Sequence, residues 1–102
     1  MKWHVVARPE AEDDILEAAR WYDAQQPGLG DEFIDEILAA FDALAEDPLY
    51  QLRQHPTKNI RWRYAKRFPY RVVYDVVEQD KLVIIAAVLH AFRHDRAWRN
   101  RF

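Results

Sequence analysis

The sequence predicts an α+β fold in which an antiparallel sheet carries a helical hairpin on one face, with elements in the order β-α-α-β-β-β. Two observations predict this fold: apolar residues recur at helical spacing in two early segments and at strand spacing in three later ones. The chain has 102 residues, half of them hydrophobic. That is enough to bury one core, so we expect residues 1–102 to form a single domain.

The first strand and the first helix are predicted before Gln26. Lys2 to Ala7 alternates weakly and is rich in valine, which suits a strand. Pro9 follows, and the first turn of a helix tolerates proline because its missing N–H would be unpaired there anyway. Acidic residues crowd the next two turns, where the helix dipole favours negative charge. The apolar stripe of this helix consists of Ala11, Ile15, Ala18, Ala19 and Tyr22.

A second helix follows a turn over residues 26–31, which holds a proline and both glycines of the protein. Asp31 is predicted to cap the start of this helix, and Asp47-Pro48 to end it. Its broad apolar stripe consists of Phe33, Ile34, Ile37, Leu38, Phe41, Leu44 and Ala45. Two such helices cannot bury their stripes against each other alone, so a third layer is required.

Three strands are predicted after an irregular loop over residues 49–59. Ile60 to Tyr64 alternates aliphatic or aromatic residues on one face with two arginines on the other. Tyr70 to Val77 is β-branched and aromatic, and a polar connection joins it to Leu82 to Leu89. That last run is apolar on both faces, which predicts an inner strand.

Composition excludes several classes of protein. The chain has no cysteine, which removes disulfides, thiolate catalysis and cysteine-based zinc sites. Its four histidines do not place a chelating pair on one helix face, so we expect neither a metal nor another cofactor. No window of about eighteen apolar residues could span a membrane, and the first residues are too polar for a signal peptide. We therefore expect a cytoplasmic protein.

Charge is divided between the two halves of the chain. Through Gln51 there are 3 basic and 13 acidic residues, a net charge of −10, and from Leu52 there are 12 basic and 4 acidic residues, a net charge of +8. A basic sheet suits a polyanion, because each cation near a phosphate releases counterions. We expect a concave basic surface on the sheet face opposite the helices. The acidic helices are either ordinary solvated surface or a face that keeps nucleic acid away.

Several segments together resemble the RelE/ParE superfamily of toxins from type II toxin–antitoxin systems, often named plasmid stabilisation proteins. The resemblance covers nearly the whole chain and rests on the order and spacing of its segments. They are residues 7–15, residues 33–37, residues 68–74, residues 84–90, Arg93 and Trp98. The resemblance implies a growth-arresting toxin that a cognate antitoxin neutralises. RelE-like members cleave mRNA, commonly in the ribosomal A site, whereas ParE-like members poison DNA gyrase.

The resemblance also implies candidate residues for a nuclease. Metal-free RNA cleavage needs a base, cations that hold the phosphate charge, and an acid. Arg71 matches the strand arginine with which RelE-like nucleases bind the scissile phosphate, and the alternative is a structural pairing with an acid such as Asp75. His90, Arg93 and His94 follow the last strand, where family nucleases place an acid or base and a second cation.

Five further cations are candidates for contact with nucleic acid or another target: Lys58, Arg61, Arg63, Lys66 and Arg67. Cations interleaved with aromatic residues suit single-stranded RNA, whose bases stack on rings while its phosphates meet positive charge. The alternative is that Trp62 and Tyr64 point into the core and the arginines line the solvated face of a strand. The resemblance places a loop lysine of the family near Lys58.

The end of the chain departs from the nuclease pattern. Family nucleases carry a C-terminal tyrosine or a His-Tyr pair, whereas this chain has Trp98 and Phe102, neither of which can move a proton. We therefore predict a ParE-like, gyrase-directed toxin. The alternative is a RelE-like, metal-independent endonuclease of ribosome-bound mRNA. A third hypothesis is a binding module that keeps the antitoxin interface and has lost toxicity.

The resemblance also implies where an antitoxin would bind. Antitoxins of this family usually wrap the toxin with a helix and a strand, which cover apolar grooves. We expect exposed apolar residues on the first helix, such as Leu16 and Trp21, to belong to that interface. A homodimer and a toxin–antitoxin hetero-oligomer both stay open.

Overall fold

The computed structural model describes residues 2–91 and residue 101. Its helices and strands are β1 (His4–Ala7), α1 (Pro9–Gln25), α2 (Leu29–Glu46), β2 (Ile60–Tyr64), β3 (Tyr70–Val77) and β4 (Leu82–His90), and a short 3₁₀ turn (Glu78–Asp80) joins β3 to β4. The predicted fold class and element order are confirmed, and β2 and β3 have the predicted bounds. The strands form one sheet in the order β1-β4-β3-β2.

The sheet is mixed, because its first strand runs parallel to its neighbour. The predicted antiparallel pairing holds among β2, β3 and β4, whereas β1 pairs with β4 in parallel, beginning with His4 opposite Leu82. The helical hairpin explains this direction. It returns the chain to the end of the sheet where β1 begins, and the Trp3 N–H donates to the Ala45 carbonyl over 2.7 Å. β2 therefore starts in the direction of β1, and two reversals later β4 does too.

The main core lies between the helical hairpin and the sheet. Its buried residues are Ala11, Ala18 and Ala19 of α1, Phe33, Ile37, Ala40 and Leu44 of α2, Val72, Tyr74 and Val76 of β3, Val83, Ile85 and Val88 of β4, and Phe68. Leu38 was predicted in the α2 stripe but is half exposed, and Ala40 takes its place. The hydroxyl of Tyr74 donates to the Pro48 carbonyl over 2.8 Å, and burial raises the pKa of Tyr74 to about 12.

The turn between the helices depends on both glycines. α2 begins at Leu29, two residues before Asp31, so the prediction that Asp31 caps the helix is wrong. Gly28 occupies the cap position with φ of 89°, a left-handed conformation that glycine adopts without steric cost. The Gly30 N–H donates to Asp23 Oδ1 over 2.8 Å. A Cβ at Gly30 would lie 2.4 Å from the Ala19 carbonyl oxygen, so glycine there allows the two helices to meet.

A second, smaller apolar cluster lies on the sheet face away from the helices. Its buried residues are Ile60, Val73, Ala87 and Leu89, and Trp62 packs against them. The register between β3 and β4 shifts beside this cluster, since Val73 lies opposite Ala87 but Tyr74 lies opposite Ile85. Ala86 is thus the extra residue of a β-bulge. Among the described residues, no helix is both long and apolar enough to cross a membrane.

Candidate functional site

The structure places some of the predicted catalytic residues and not others. Arg93 and His94 lie outside the described residues, as do Trp98 and Phe102 of the departing tail. The two that can be placed are Arg71 on β3 and His90 at the end of β4. The question for the described residues is whether these two side chains share a site.

Arg71 is a buried arginine in the sheet face away from the helices. Only 5% of its surface is exposed, and its guanidinium carbon lies 4.8 Å from the ring centroid of Trp62. Its cross-strand neighbours are Tyr64 on β2 and Leu89 on β4. A desolvated cation over a tryptophan ring is stabilised by about 2 kcal/mol, so this arrangement fastens β2 to β3.

His90 lies on the opposite face of the sheet from Arg71. It pairs across the strands with Tyr70, whose ring centroid is 5.4 Å from that of the histidine, and Tyr70 packs against the main core. Neighbouring residues of a strand point to opposite faces, so Arg71 and Tyr70 face different sides of the sheet. The structure therefore does not bring Arg71 and His90 together.

The arginines of β2 face the helix side of the sheet, so the predicted basic surface opposite the helices is wrong for them. Arg61 lies opposite Tyr74, its Nε donates to the Gln51 carbonyl over 2.7 Å, and it also hydrogen-bonds Asn59. Arg63 lines a small cavity beside α2. The cause is the second apolar cluster, which draws Trp62 to the other face and leaves the arginines on the helix side.

The loop between β2 and β3 is held to α2 by two glutamates. Arg67 forms an exposed ion pair with Glu32 at 2.7 Å. The Glu36 carboxylate accepts hydrogen bonds from the backbone N–H groups of Arg67 and Phe68 at 3.0 to 3.2 Å. Lys66 is exposed in the same loop. Arg67 thus has a structural partner in Glu32. Glu36 positions the loop between β2 and β3, a role that the sequence did not reveal because Glu36 is one of thirteen acidic residues in the first half of the chain.

Lys58 and Asp75 lie near the opposite end of β2. Lys58 is exposed, and its backbone N–H donates to His55 Nδ1 over 3.0 Å. Burial raises the pKa of Asp75, and the positive charges of Arg8, Lys58 and Arg61 partly oppose that rise. A backbone hydrogen bond from Val76 also opposes the rise.

A groove of about 590 Å³ opens between α1 and the ends of β3 and β4. Its lining residues are Asp14, Glu17, Ala18, Trp21, Tyr22, Tyr70, Val88, Leu89 and His90, and we call it the α1 groove. Trp21 is 59% exposed and meets Tyr22 edge to face, with ring centroids 5.1 Å apart. Leu16 is also exposed on α1. The predicted exposure of Leu16 and Trp21 is therefore confirmed.

One wall of the α1 groove is fixed by a partly buried ion pair. Asp14 Oδ2 accepts from Arg101 Nη1 at 2.6 Å and from the Val88 N–H at 3.0 Å. Arg101 Nη1 also donates to the Ala86 carbonyl over 2.9 Å, at the β-bulge. The hydrogen bond to Asp14 raises the pKa of Arg101. Asp14 is a second acid whose role the sequence did not reveal, because it sits in a run of acidic residues.

No group of three or more metal-ligating side chains gathers in the part of the chain that the structure describes.

Comparison with known proteins identifies the family. The sequence model of the family described as "ParE toxin of type II toxin-antitoxin system, parDE" matches residues 5–94. The chain belongs to the ParE toxin family. This ParE family member is thus a toxin of a type II toxin–antitoxin system, as its resemblance to the wider RelE/ParE superfamily predicted. No protein of curated function matches its sequence.

Solved structures with the same fold come from both branches of the superfamily. A chain of the chromosomal ParDE toxin–antitoxin system of P. aeruginosa superposes on this ParE family member with a TM-score of 0.74 at 14% identity, covering 87% of this chain and 96% of that one. The isolated E. coli RelE toxin superposes with a TM-score of 0.62 at 19% identity, covering 93% of this chain and 90% of that one. A chain of the toxin–antitoxin complex RelBE2 of Mycobacterium tuberculosis superposes with a TM-score of 0.63 at 18% identity, covering 88% of this chain and 99% of that one. At these identities the likeness establishes the fold.

Proposed function

We propose that this toxin arrests growth by acting on a protein target, DNA gyrase, and that a cognate antitoxin neutralises it in the cytoplasm. The observation that carries this proposal is the separation of Arg71 and His90 by the sheet. Cleavage of RNA needs a phosphate-binding cation and a proton-transfer group around one phosphodiester. Arg71 and His90 lie on opposite faces of the sheet, which disfavours joint action of these two side chains on one phosphate. The match to the ParE family supports the same choice.

The contacts of the other candidate cations support the proposal further. Arg61 holds the loop before β2 through Gln51 and Asn59, and Arg67 is paired with Glu32. Arg71 is buried over Trp62. Guanidinium groups that already have partners in the fold gain less from a phosphate, because an existing contact must be given up first.

The α1 groove is the surface that we propose for the antitoxin. It combines the exposed ring of Trp21 and the partly buried ring of Tyr22 with an apolar floor between α1 and β4, and Leu16 extends the exposed apolar surface along α1. An amphipathic helix binds to a groove of this kind through side chains spaced by three or four residues. A chain with this fold occurs in the toxin–antitoxin complex RelBE2 of Mycobacterium tuberculosis.

Inducible expression in a bacterial host tests the proposal. Growth, mRNA 5′ ends mapped by primer extension, and plasmid supercoiling are followed in the same cultures. Wild type is compared with Arg71→Met, which keeps the volume and the apolar stem of the side chain but removes its charge. Growth arrest with intact mRNA, altered supercoiling and little effect of Arg71→Met is the expected result.

Two other outcomes would replace the proposal. New mRNA ends at codon positions that vanish in Arg71→Met would establish the metal-independent endonuclease, with Arg71 binding phosphate. Unimpaired growth on expression of a folded protein would establish a module that binds an antitoxin and has lost toxicity.

A further inference from the structure

The loop between α2 and β2 exposes an unusual amount of apolar surface. Leu49, Tyr50 and Leu52 are 39%, 73% and 81% exposed, and the last two are the most exposed large hydrophobic residues described in the chain. They stand within four consecutive positions, Arg53 follows directly, and Lys58 is exposed later in the same loop. We call these five residues the loop surface. A cluster of exposed apolar side chains of this kind marks an interaction site, because burying them against a partner removes their apolar surface from water and lowers the free energy.

Hydrogen bonds fix the base of this loop. The Tyr74 hydroxyl holds the Pro48 carbonyl, and Arg61 Nε holds the Gln51 carbonyl. The Gln54 N–H donates to the Ile60 carbonyl over 2.7 Å, which ties the loop to β2.

The tip is closed by a turn around His55. Its Nδ1 accepts hydrogen bonds from the backbone N–H groups of Thr57 and Lys58 at 3.2 and 3.0 Å. A loop that is held in one conformation at its base and its tip loses little entropy when a partner binds. The apolar side chains of the loop surface are therefore presented by a preorganised segment.

The charge of this region points to the chemistry of the partner. Residues 48–74 contain no aspartate or glutamate and seven lysines or arginines. A surface of two leucines and a tyrosine in the same loop as exposed cations is complementary to an apolar pocket with an acidic rim. Tyr50 could stack on a base, but Leu49 and Leu52 have no ring to stack, so an apolar pocket on a protein fits the whole set better than nucleic acid does.

We propose that the loop surface is where this toxin docks on its protein target, at an acidic surface that contains an apolar pocket. The inference rests on the proposed function in one respect, namely that the target is a protein. It adds the residues through which that protein is recognised and the chemistry of the surface that receives them.

The loop surface and the α1 groove lie at opposite ends of the sheet. The loop joins β2 at Ile60, which lies opposite Asp75 near the end of β3, whereas the groove contains Tyr70 at the start of β3. At about 3.3 Å per residue these ends of β3 are on the order of 20 Å apart. An antitoxin segment in the groove thus leaves the loop surface uncovered, so docking on the target and binding in the groove use different residues.

Serine substitutions at exposed leucines test the inference. Leu52→Ser and Tyr50→Ser are compared with Leu38→Ser, the matched control, because Leu38 is also a half or more exposed but lies on α2. Inhibition of purified bacterial DNA gyrase in a supercoiling assay, and growth arrest on expression, are both measured. We expect about tenfold weaker inhibition and loss of arrest for the loop variants, and wild-type behaviour for Leu38→Ser. Unchanged thermal unfolding shows that all three are folded.

The two readouts separate the inference from the proposed target. If wild type inhibits gyrase and the loop variants inhibit it equally well, the inference is overturned. If wild type does not inhibit gyrase, the proposed target is wrong, and the growth measurements then test the inference. Loss of growth arrest in the loop variants alone upholds the inference, whereas growth arrest retained in these variants overturns it. Cleavage of mRNA that depends on Leu52 also overturns the inference, because the loop would then bind nucleic acid. A folded wild type that neither inhibits gyrase nor arrests growth overturns it as well.

Discussion

Tyr74 shows how a single buried hydroxyl couples stability to pH. Its folded-state pKa of about 12 lies above the ordinary value of 10.0. The stability that the neutral hydroxyl contributes is therefore complete below pH 10 and is lost as the pH rises toward 12, by at most about 3 kcal/mol. We expect unfolding by urea to become markedly easier across this interval.

Tyr74→Phe should remove most of this alkaline dependence. At neutral pH the free energy of unfolding of the variant should be about 1 to 3 kcal/mol lower, because the buried Pro48 carbonyl loses its hydrogen-bond donor. Tyr64→Phe is the control, since Tyr64 is 57% exposed. An alkaline slope in Tyr74→Phe equal to that of wild type would assign the effect to another group, such as Tyr22, whose pKa burial also raises.

Gly30 is the residue at which the two helices are closest to a steric limit. In Gly30→Ala the new methyl group would meet the Ala19 carbonyl oxygen at 2.4 Å and Asp23 Cγ at 2.7 Å. A backbone oxygen cannot turn away, so the helices must separate, at a cost of about 1 to 3 kcal/mol in urea unfolding. Gly28→Ala meets no atom within 4 Å and measures the cost of the left-handed backbone alone. An unchanged urea midpoint for Gly30→Ala would contradict this contact.

At the scale of elements, Glu36 fastens α2 to the loop between β2 and β3. Glu36→Ala should leave the N–H groups of Arg67 and Phe68 without their acceptor, which costs about 1 to 2 kcal/mol. Amide hydrogen exchange at these two positions should accelerate about tenfold. Glu32→Ala removes only the exposed ion pair to Arg67, so its loss should be below about 1 kcal/mol. Equal exchange rates in the two variants would refute the assignment.

Sequence patterns predicted the elements well and their orientations less well. The bounds of β2 and β3 follow from alternating side chains, but alternation says only which residues share a face. It cannot tell which face receives the helices, and so Trp62 and its neighbouring arginines were assigned the wrong way round. The parallel direction of β1 depends on the path of the hairpin, which is a property of several elements at once.

The site was harder to predict than the fold. Arg71 was found through its strand context, yet its burial over Trp62 depends on pairing between two strands. Asp14 and Glu36 gave no signal, because an acid that accepts backbone hydrogen bonds looks the same in a sequence as one in solvent. The bulge at Ala86 lies inside a uniformly apolar run, where every register buries similar side chains.

At the scale of the whole molecule, the division of charge should govern non-specific adsorption. The protein carries a net charge of −2, but we expect a cation exchanger to retain it at pH 7 because its basic half binds first. Arg53→Gln with Lys58→Gln should lower the salt needed for elution. Lys2→Gln with Arg20→Gln gives the same net charge of −4 from the acidic half and should leave elution almost unchanged. Equal shifts for both pairs would show that net charge alone decides retention.

The parallel pairing of β1 with β4 also determines how late in synthesis the sheet can close. His4 and Leu82 are partners that lie 78 positions apart along the chain, and contacts at such long range form late in folding. During translation the first strand leaves the ribosome long before its partner strand has been made. The sheet therefore cannot close until residues 82–90 have been made, and β1 has no partner strand until then.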